Sequence, residues 1–250
     1  MTTNSSVHSH VIVIPAYNES DALPLLINEL ASSSLEAGMA VVIVDDSPLE
    51  VALETERRCV VAASKSALRL EFLRSSQKGG RGVAVRRGLE HAIVTYPRAA
   101  WFLECDADGS HRATDIMAVL NNPETTDLII GSRYLPSSKI IGWTMSRRVQ
   151  SRLLNWVIPR LLSVQINDIT NGLRRYSRAS VTHLLNHQPV SGSFIFLAEQ
   201  ALLVKRGGFS VGELPIIFAE RRGGTSSVSW RELRASLVGL RKIYGLRRRL

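Results

Sequence analysis

The 250-residue chain has little cysteine, few aromatic residues and no long apolar run. Its two cysteines, Cys59 and Cys105, are too few for a disulfide framework and fit a reducing compartment. Aromatic residues make up 6%, which is low for a carbohydrate-binding β module. No stretch approaches the roughly 18 apolar residues of a membrane span, and the polar start lacks the apolar core of a signal peptide. These absences argue against an integral membrane protein and a secreted disulfide miniprotein.

Positive charge is what the chain has in excess. It has 31 Lys and Arg against 22 Asp and Glu, a net charge of +9 and a pI near 10.1, in a composition that is 45% hydrophobic. Residues 220–250 hold nine Lys or Arg and two acids, and residues 139–166 hold no acid at all. Clustered cations predict an anionic partner, namely nucleic acid, phospholipid or a phosphorylated substrate. A solvated basic surface is the alternative.

The first half alternates short β-branched runs with helical stretches, which predicts an α/β fold with a parallel sheet covered on both faces. The expected strands are 10–14, 40–44, 68–73, 101–103 and 127–130, and the expected helices are 21–36, 51–64 and 82–96. The second half predicts a helix pair over 140–162 broken at Pro159, a helix over 193–206, a strand over 212–218 and an amphipathic helix from Trp230 to the end.

Polar residues follow the apolar strands at the edge where ligands bind in such sheets. Asp106-Ala-Asp108 comes directly after a strand, and two carboxylates at that spacing suit a hard cation such as Mg²⁺ or Mn²⁺ that also binds phosphate. The alternative is a pair of aspartates that cap the next helix. Asp45-Asp46 follows the second strand and predicts contacts to a base or ribose, with an Asx turn as the alternative.

A glycine-rich segment, Lys78-Gly-Gly-Arg-Gly82, precedes a helix, and glycines there let backbone N–H groups approach phosphate. It matches neither a Walker A loop nor GxGxxG.

The order and spacing of these motifs resemble the inverting GT-A glycosyltransferases of family 2, and most of all the dolichyl-phosphate (polyprenyl-phosphate) mannose synthases. The resemblance covers roughly residues 11–230. It is carried by Pro15-Ala-Tyr-Asn-Glu19, the three segments just described, Gly131-Ser-Arg-Tyr134, Asn167-Asp-Ile-Thr170, Gly212-Glu-Leu-Pro215, Glu220-Arg-Arg222 and Thr225-Ser-Ser227.

The resemblance implies a GT-A (Rossmann-like), mostly parallel sheet flanked by helices, and a role for each matched position. A nucleotide sugar would bind through Pro15, Tyr17, Glu19, Val44 and Asp46. Asp106, Ala107 and Asp108 would lie at its diphosphate, with Asp106, Asp108 and Ser110 around Mg²⁺ or Mn²⁺ and Asp108 as the main ligand. Arg133 would contact the donor sugar or phosphate, and Arg221 would bind phosphate.

Three departures from the family pattern stand out. The usual Asp-Asp-x-Ser-Pro-Asp is shortened and ends at Leu49, and Ser227 replaces a lysine. The C-terminal membrane spans of many bacterial members are absent, so the resemblance is to the short form. We expect a disordered tail at 1–9, a GT-A domain at 10–220 and a basic amphipathic segment at 221–250.

Two helices carry an apolar stripe with basic flanks, the pattern of a helix that lies in the headgroup plane. One stripe contains Val149, Leu153, Trp156 and Val157, and the other contains Trp230, Leu233, Leu237, Leu240 and Tyr244. They predict a peripheral protein on the cytoplasmic face of a membrane. Packing of these helices on the domain core is the alternative, and a membrane-embedded partner subunit stays open.

The expected reaction is the transfer of a hexose, mannose from GDP-mannose, to a polyprenyl or dolichyl phosphate with inversion. The acceptor phosphate is mostly dianionic at neutral pH and needs no general base. Arg148 and Arg152 are the candidates for holding it. Asp168 is a candidate for orienting a sugar hydroxyl, or for acting as base toward an alcohol acceptor.

Three alternatives remain at this stage. The chain could transfer another sugar, from UDP-glucose or a UDP-N-acetylhexosamine, to a lipid or saccharide. It could be a catalytically inactive scaffold. A nucleic-acid-binding protein is disfavoured because the acidic strand ends repel phosphate and no recognition motif is present.

Overall fold

The computed structural model describes residues 9–33, 38–75, 77–190, 195–222 and 238–245. Nine strands are present in these ranges: β1 His10–Ala16, β2 Met39–Asp45, β3 Arg69–Arg74, β4 Trp101–Glu104, β5 Leu128–Ser132, β6 Lys139–Ile140, β7 Arg174–Ser177, β8 Val211–Pro215 and β9 Ile217–Phe218. Seven of them form one sheet in the order β3-β2-β1-β4-β7-β5-β8, and β6 pairs with β9 in a second, two-stranded sheet.

The helices lie on both faces of the large sheet. They are α1 Ala22–Ser33, α2 Leu49–Ala63, α3 Arg81–Thr95, α4 Ala113–Leu120, α5 Met145–Leu162, α6 Arg178–Leu185 and α7 Phe196–Arg206. Val11 and Val13 of β1 pack with α3, α6 and α7, whereas Ile12 and Ile14 pack with α1, α2 and α4. Alternate residues of one strand therefore enter two separate cores, which explains the unbroken apolar sequence of this strand.

The mostly parallel sheet is confirmed, with one exception. β7 runs antiparallel to both of its neighbours, β4 and β5. Its sequence did not reveal a strand because it begins with two arginines, Arg174 and Arg175, which are fully buried. Arg174 donates to the carbonyl oxygens of Ile169, Asn171 and Leu197. Hydrogen bonds to backbone carbonyls thus allow charged residues in a central strand.

Several predicted elements have different limits in the structure. α5 is one helix rather than a pair, because Pro159 lies in its last turn and removes only one backbone donor there. The strand predicted over 212–218 is two strands, β8 and β9, in different sheets. α7 begins at Phe196, and α4 and α6 were not predicted at all.

The predicted C-terminal segment lies mostly outside the described residues, as do Trp230, Leu233 and Leu237 of its stripe. Residues 238–245 are helical. Ile243 is fully buried in the core on the α3 side, and Leu240 packs against the same core. This part of the helix therefore packs on the domain. None of the helices within the described ranges combines the length and hydropathy needed to cross a bilayer.

Candidate active site

The loops that follow β1, β2 and β4 meet at one edge of the sheet because these three strands are neighbours and parallel. Backbone hydrogen bonds connect the starts of the loops after β2 and β4 to β1. The Asp46 N–H donates to the Ala16 oxygen at 3.1 Å, and the Cys105 N–H donates to the Val13 oxygen at 3.3 Å. The three polar motifs predicted to share a site are thus brought together.

The glycine-rich segment lies against the loop after β2. The Gly79 N–H donates to Asp46 Oδ2 at 2.9 Å, and Arg87 Nη1 donates to Asp46 Oδ1 at 3.4 Å. The Lys78 ammonium lies 3.8 Å from the centre of the Tyr17 ring, which is 38% exposed. Asp46 is therefore fixed through both oxygens, and Tyr17 offers a flat surface beside it for a base to stack on.

Asp45, the first aspartate of the predicted Asp45-Asp46 pair, also lies at this edge, at the end of β2. Its side chain is buried, and its Oδ1 accepts the Ser47 N–H at 2.9 Å. Its Oδ2 is buried and finds no hydrogen-bond partner among the described residues. A buried carboxylate oxygen without a partner is costly in a folded protein. This atom is therefore a candidate for accepting a hydrogen bond from a ligand.

The acidic loop after β4 places its two aspartates in different surroundings. Asp106 Oδ1 accepts Arg81 Nε at 2.7 Å. Burial by itself raises the pKa of Asp106, but the charge and hydrogen bond of Arg81, together with further positive charge nearby, lower this pKa to about 2. Asp108 Oδ1 accepts the Ser110 N–H at 3.0 Å, and its Oδ2 lies 3.5 Å from Arg221 Nη2.

His111 supports this loop from inside the protein. The Asp106 N–H donates to its Nδ1 at 3.2 Å, so the ring proton lies on Nε2, which is 2.9 Å from Asn171 Oδ1. Burial lowers the pKa of His111 despite the nearby carboxylates. A neutral His111 therefore orients the loop from the buried side.

Glu19 adds a third carboxyl group to this edge. Its burial, together with the charge of Asp108, raises the pKa of Glu19 to about 7. The folded protein therefore holds a proton on Glu19 that the unfolded chain releases near its ordinary value of 4.5. Since the folded state binds this proton more tightly, Glu19 makes the fold less stable as the pH rises from about 4.5 to 7.

The residues of the acidic loop fit a hard divalent cation. Asp108 supplies carboxylate oxygen, and the Ser110 hydroxyl is buried with no hydrogen-bond partner in the described part of the chain. Oxygen ligands of this kind suit Mg²⁺ and Mn²⁺. Within the described ranges no group of three His, Cys, Asp or Glu side chains forms a complete protein-only metal site. A cation here would therefore need oxygens from a ligand.

Arg133 and Asp168 form a buried ion pair. Asp168 is fully buried and accepts Arg133 Nε and Nη2, both at 2.7 Å, as well as the Arg133 backbone N–H at 2.9 Å. Glu213 fixes the loop from outside by accepting the Asp168 backbone N–H at 2.8 Å. Because both oxygens of Asp168 are taken up by Arg133, this carboxylate suits orientation of Arg133 better than proton transfer.

Arg147 is a residue that the sequence analysis did not select. Its guanidinium lies 4.2 Å from the Trp143 ring, and its Nη1 lies 3.8 Å from Glu220. Burial and the positive charge of Arg221 lower the pKa of Arg147, and Arg133 adds to this effect. Arg133 lies 5.2 Å from the same Trp143 ring, and Arg221 lies 3.5 Å from Asp108, so the three arginines lie close together on the Asp108 side of the site.

The two arginines predicted to hold the acceptor, Arg148 and Arg152, are also on α5. Arg148 donates to the carbonyl oxygens of Ile140 and Trp143 at 2.7 and 3.3 Å, so it fixes the segment that enters the helix. Arg152 is exposed.

A segment from Ile216 to Arg222 runs across the acidic loop. The Ala219 N–H donates to the Ser110 oxygen and the Arg222 N–H donates to the Asp108 oxygen, both at 3.0 Å. The Arg222 guanidinium pairs with Glu29 of α1 at 2.6 Å. These contacts bring Arg221 to Asp108.

The family model described as Glycosyl transferase family 2 matches residues 11–185. The chain belongs to this family. It is a glycosyltransferase, and the site at the sheet edge is its candidate active site. Curated relatives include the polyprenol monophosphomannose synthase of Mycolicibacterium smegmatis, 30% identical over 96% of this chain and 88% of that protein. The undecaprenyl-phosphate mannosyltransferase of Micrococcus luteus is 32% identical over 87% and 86%, respectively.

Solved structures confirm the GT-A-like fold of this glycosyltransferase. The glucosyl-3-phosphoglycerate synthase of Mycobacterium tuberculosis in complex with UDP aligns with a TM-score of 0.62, covering 95% of this chain and 80% of that one at 16% identity. The same enzyme in complex with Mn²⁺, UDP and phosphoglyceric acid aligns with a TM-score of 0.61. At this identity the likeness concerns the fold alone.

Three further residues predicted to belong to the site of the glycosyltransferase lie in or next to these strands and loops. Pro15 ends the apolar part of β1, and Val44 is buried in β2, one residue before Asp45. Ala107 is buried between the two aspartates. The side chains of Arg81 and Arg147 were missed, because their importance depends on where side chains point rather than on their residue type or spacing.

Proposed function

We propose that this glycosyltransferase transfers mannose from GDP-mannose to a polyprenyl phosphate and inverts the anomeric centre. The observation that supports it most strongly is the placing of Arg133, Arg147 and Arg221 beside Asp108, a cationic region next to an acidic, metal-compatible loop. A reaction between two phosphorylated substrates needs both the cationic region and the metal-compatible loop. The names of the two curated relatives supply the mannose and the polyprenyl phosphate.

The nucleotide would bind across the loops after β1 and β2. Tyr17 would stack on the base, and Asp46 and the unpartnered Asp45 Oδ2 would accept hydrogen bonds from base or ribose. A guanine base offers a ring N–H and an amino group as donors, so it suits a pair of carboxylates.

A nucleotide series tests the choice of base. Calorimetric titration with GDP, UDP and ADP in the presence of Mn²⁺ should give the tightest binding with GDP. Tighter binding of UDP would contradict the GDP assignment and favour the alternative donors, UDP-glucose or a UDP-N-acetylhexosamine.

The metal would be held by Asp108 with the Ser110 hydroxyl. When bound, Mg²⁺ or Mn²⁺ stabilises the negative charge that develops on the nucleoside diphosphate leaving group. The chain's own residues would orient the reactants: the Asp168 carboxylate fixes Arg133, and Arg133 would contact the donor sugar or phosphate.

The acceptor phosphate would bind near Arg147 and Arg221. Because this phosphate is already mostly dianionic at neutral pH, it attacks without a protein base and needs only charge compensation and alignment. Direct attack from the face opposite the diphosphate inverts the sugar in one step. Arg147 now replaces Arg148 as our acceptor-binding candidate, since Arg148 is occupied by backbone carbonyls.

Replacing Arg147 tests this assignment. We expect Arg147→Gln to raise KM for the polyprenyl phosphate by roughly tenfold or more, the effect of losing one charge-assisted hydrogen bond, with little change in KM for the nucleotide sugar. Initial rates at varied lipid concentration measure it. Arg98→Gln is the control, because Arg98 is exposed and precedes β4 at the opposite edge of the sheet. An equal change in both KM values would contradict an acceptor role.

The apolar stripe of α5 would dock on the membrane. Val149, Leu153 and Trp156 are 61%, 58% and 56% exposed, whereas Val157 is half-buried. The exposed Arg152 and Arg160 flank this stripe and suit anionic headgroups. We place the enzyme at the cytoplasmic face, in keeping with the buried free thiols Cys59 and Cys105.

Liposome binding tests the membrane proposal. Leu153→Asp should weaken binding to anionic vesicles by roughly tenfold, since one buried leucine contributes about 1.5–3 kcal/mol. Val94→Asp is a matched control, because Val94 on α3 is also exposed, at 78%. Sedimentation with vesicles at low and high salt measures both variants. Equal losses in the two variants would argue against α5 as the docking surface.

A further inference from the structure

Arg81 forms the closest ion pair with the acidic loop. Its Nε donates to Asp106 Oδ1 at 2.7 Å, and its Nη1 donates to Glu104 Oε2 at 3.0 Å. The Glu104 side chain is fully buried, and its other oxygen accepts the Tyr176 hydroxyl at 2.8 Å. Asp106 therefore faces a guanidinium that is itself anchored to a second, buried carboxylate.

Arg81 is also fixed on its remaining sides. Its Nη2 donates to the Gly172 oxygen at 3.0 Å, and its guanidinium lies 5.3 Å from the centre of the Phe196 ring. A Cβ atom at Gly172 would lie only 2.3 Å from Arg81 Nη2. The backbone of that loop thus packs directly on the guanidinium, which cannot leave Asp106 without losing several contacts at once.

Asp108 forms a weaker ion pair, with Arg221. Arg221 Nη2 lies 3.5 Å from Asp108 Oδ2, beyond the distance of a good charge-assisted hydrogen bond. Asp106, in contrast, accepts a 2.7 Å bond from Arg81 Nε at its Oδ1. An arriving divalent ion displaces Arg221 from Asp108 more easily than Arg81 from Asp106.

We propose that Arg81 is a positioning residue that keeps Asp106 away from the metal, so that Asp108 is the one carboxylate of the acidic loop that binds it. The inference rests on the proposed function, because it assumes a divalent ion at the acidic loop. A hard-cation site with one carboxylate is weak until phosphate oxygens complete it. Arg81 thereby makes metal binding depend on the nucleotide diphosphate and allows the metal to leave with the nucleoside diphosphate product.

The test is a Mn²⁺ titration of the nucleotide-free protein, followed by the electron paramagnetic resonance signal of unbound Mn²⁺. Arg81→Gln should bind Mn²⁺ more tightly than the wild type, by roughly tenfold, because Asp106 becomes a second carboxylate ligand. Its turnover should fall, because the metal is now retained without nucleotide. A residue with a merely structural role would weaken Mn²⁺ binding or leave it unchanged, and either result overturns the proposal.

Three further variants make the outcome specific. Arg81→Gln combined with Asp106→Asn should lose the gain in affinity, and a gain that persists would indicate a simple charge effect and overturn the proposal. Arg81→Lys retains the charge and should show a smaller gain, which keeps the test valid if Arg81→Gln does not fold. Arg86→Gln, on the same helix and paired with Glu90 at 2.8 Å, should leave Mn²⁺ affinity unchanged.

Failure of this inference and failure of the proposed function give different results. If the wild type binds no Mn²⁺ even with saturating GDP, the metal-dependent function itself is wrong. If the wild type binds Mn²⁺ with GDP, but Arg81→Gln does not tighten nucleotide-free binding, only the role of Arg81 is wrong.

Discussion

Asp108→Asn should reduce sugar transfer by roughly a thousandfold, since a metal that stabilises a diphosphate leaving group contributes several kcal/mol to the transition state. The fold should survive, because Asp108 Oδ1 accepts the Ser110 N–H at 3.0 Å and an asparagine oxygen accepts the same bond. Glycolipid formation measures the first effect, and the thermal unfolding midpoint measures the second.

Asp115→Asn is the matched control for this substitution. Asp115 lies on α4, seven residues after Asp108, and its carboxylate pairs with Arg112 at 2.7 Å rather than facing the site. We expect near wild-type turnover from it. If Asp108→Asn retains the turnover of this control, Asp108 does not hold the metal.

Asp168→Asn should lower the free energy of unfolding by about 3–5 kcal/mol, because it leaves the buried Arg133 guanidinium without a carboxylate partner. For a chain of this size the midpoint of thermal unfolding would fall by about 10 °C. Urea titration and calorimetry measure these changes. Transfer should also slow, because the asparagine amide keeps only one of the two oxygens that orient the Arg133 guanidinium.

Glu54→Gln provides the comparison for an exposed ion pair. Glu54 pairs with Arg57 at 2.8 Å on the surface of α2, and such pairs contribute little. No measurable shift in midpoint is expected. A similar small shift for Asp168→Asn would show that the Arg133 pair is not a structural requirement.

Periodicity and strand-end motifs predicted the parts of the fold in which sequence pattern and burial agree. Strands β1 and β2 are apolar on both faces, and their limits were predicted within two residues. β7 was missed because Arg174 and Arg175 donate to the backbone carbonyls of Leu197 and Glu124, which lie far away in sequence. No local pattern indicates that a buried arginine will find such partners.

In the candidate site, the strand-end motifs were predictable from sequence, but the arginine side chains around them were not. Asp-x-Asp after a strand identified the acidic loop, since parallel strands bring their carboxyl ends together. The choice between Arg147 and Arg148 was not predictable, because adjacent residues on a helix point about 100° apart and only the packing of Trp143 decides which one faces Asp108. The pairing of Arg81 with Asp106 likewise joins residues 25 positions apart.

Product formation by the purified protein tests the central claim most directly. The protein is incubated with labelled GDP-mannose, Mn²⁺ or Mg²⁺ and undecaprenyl phosphate, and the lipid fraction is analysed for mannolipid and for the configuration of its anomeric carbon. The account predicts a metal-dependent mannosyl phosphopolyprenol with inverted configuration. Absence of any glycolipid with GDP-mannose or with the UDP-sugars, from a folded protein, would contradict it.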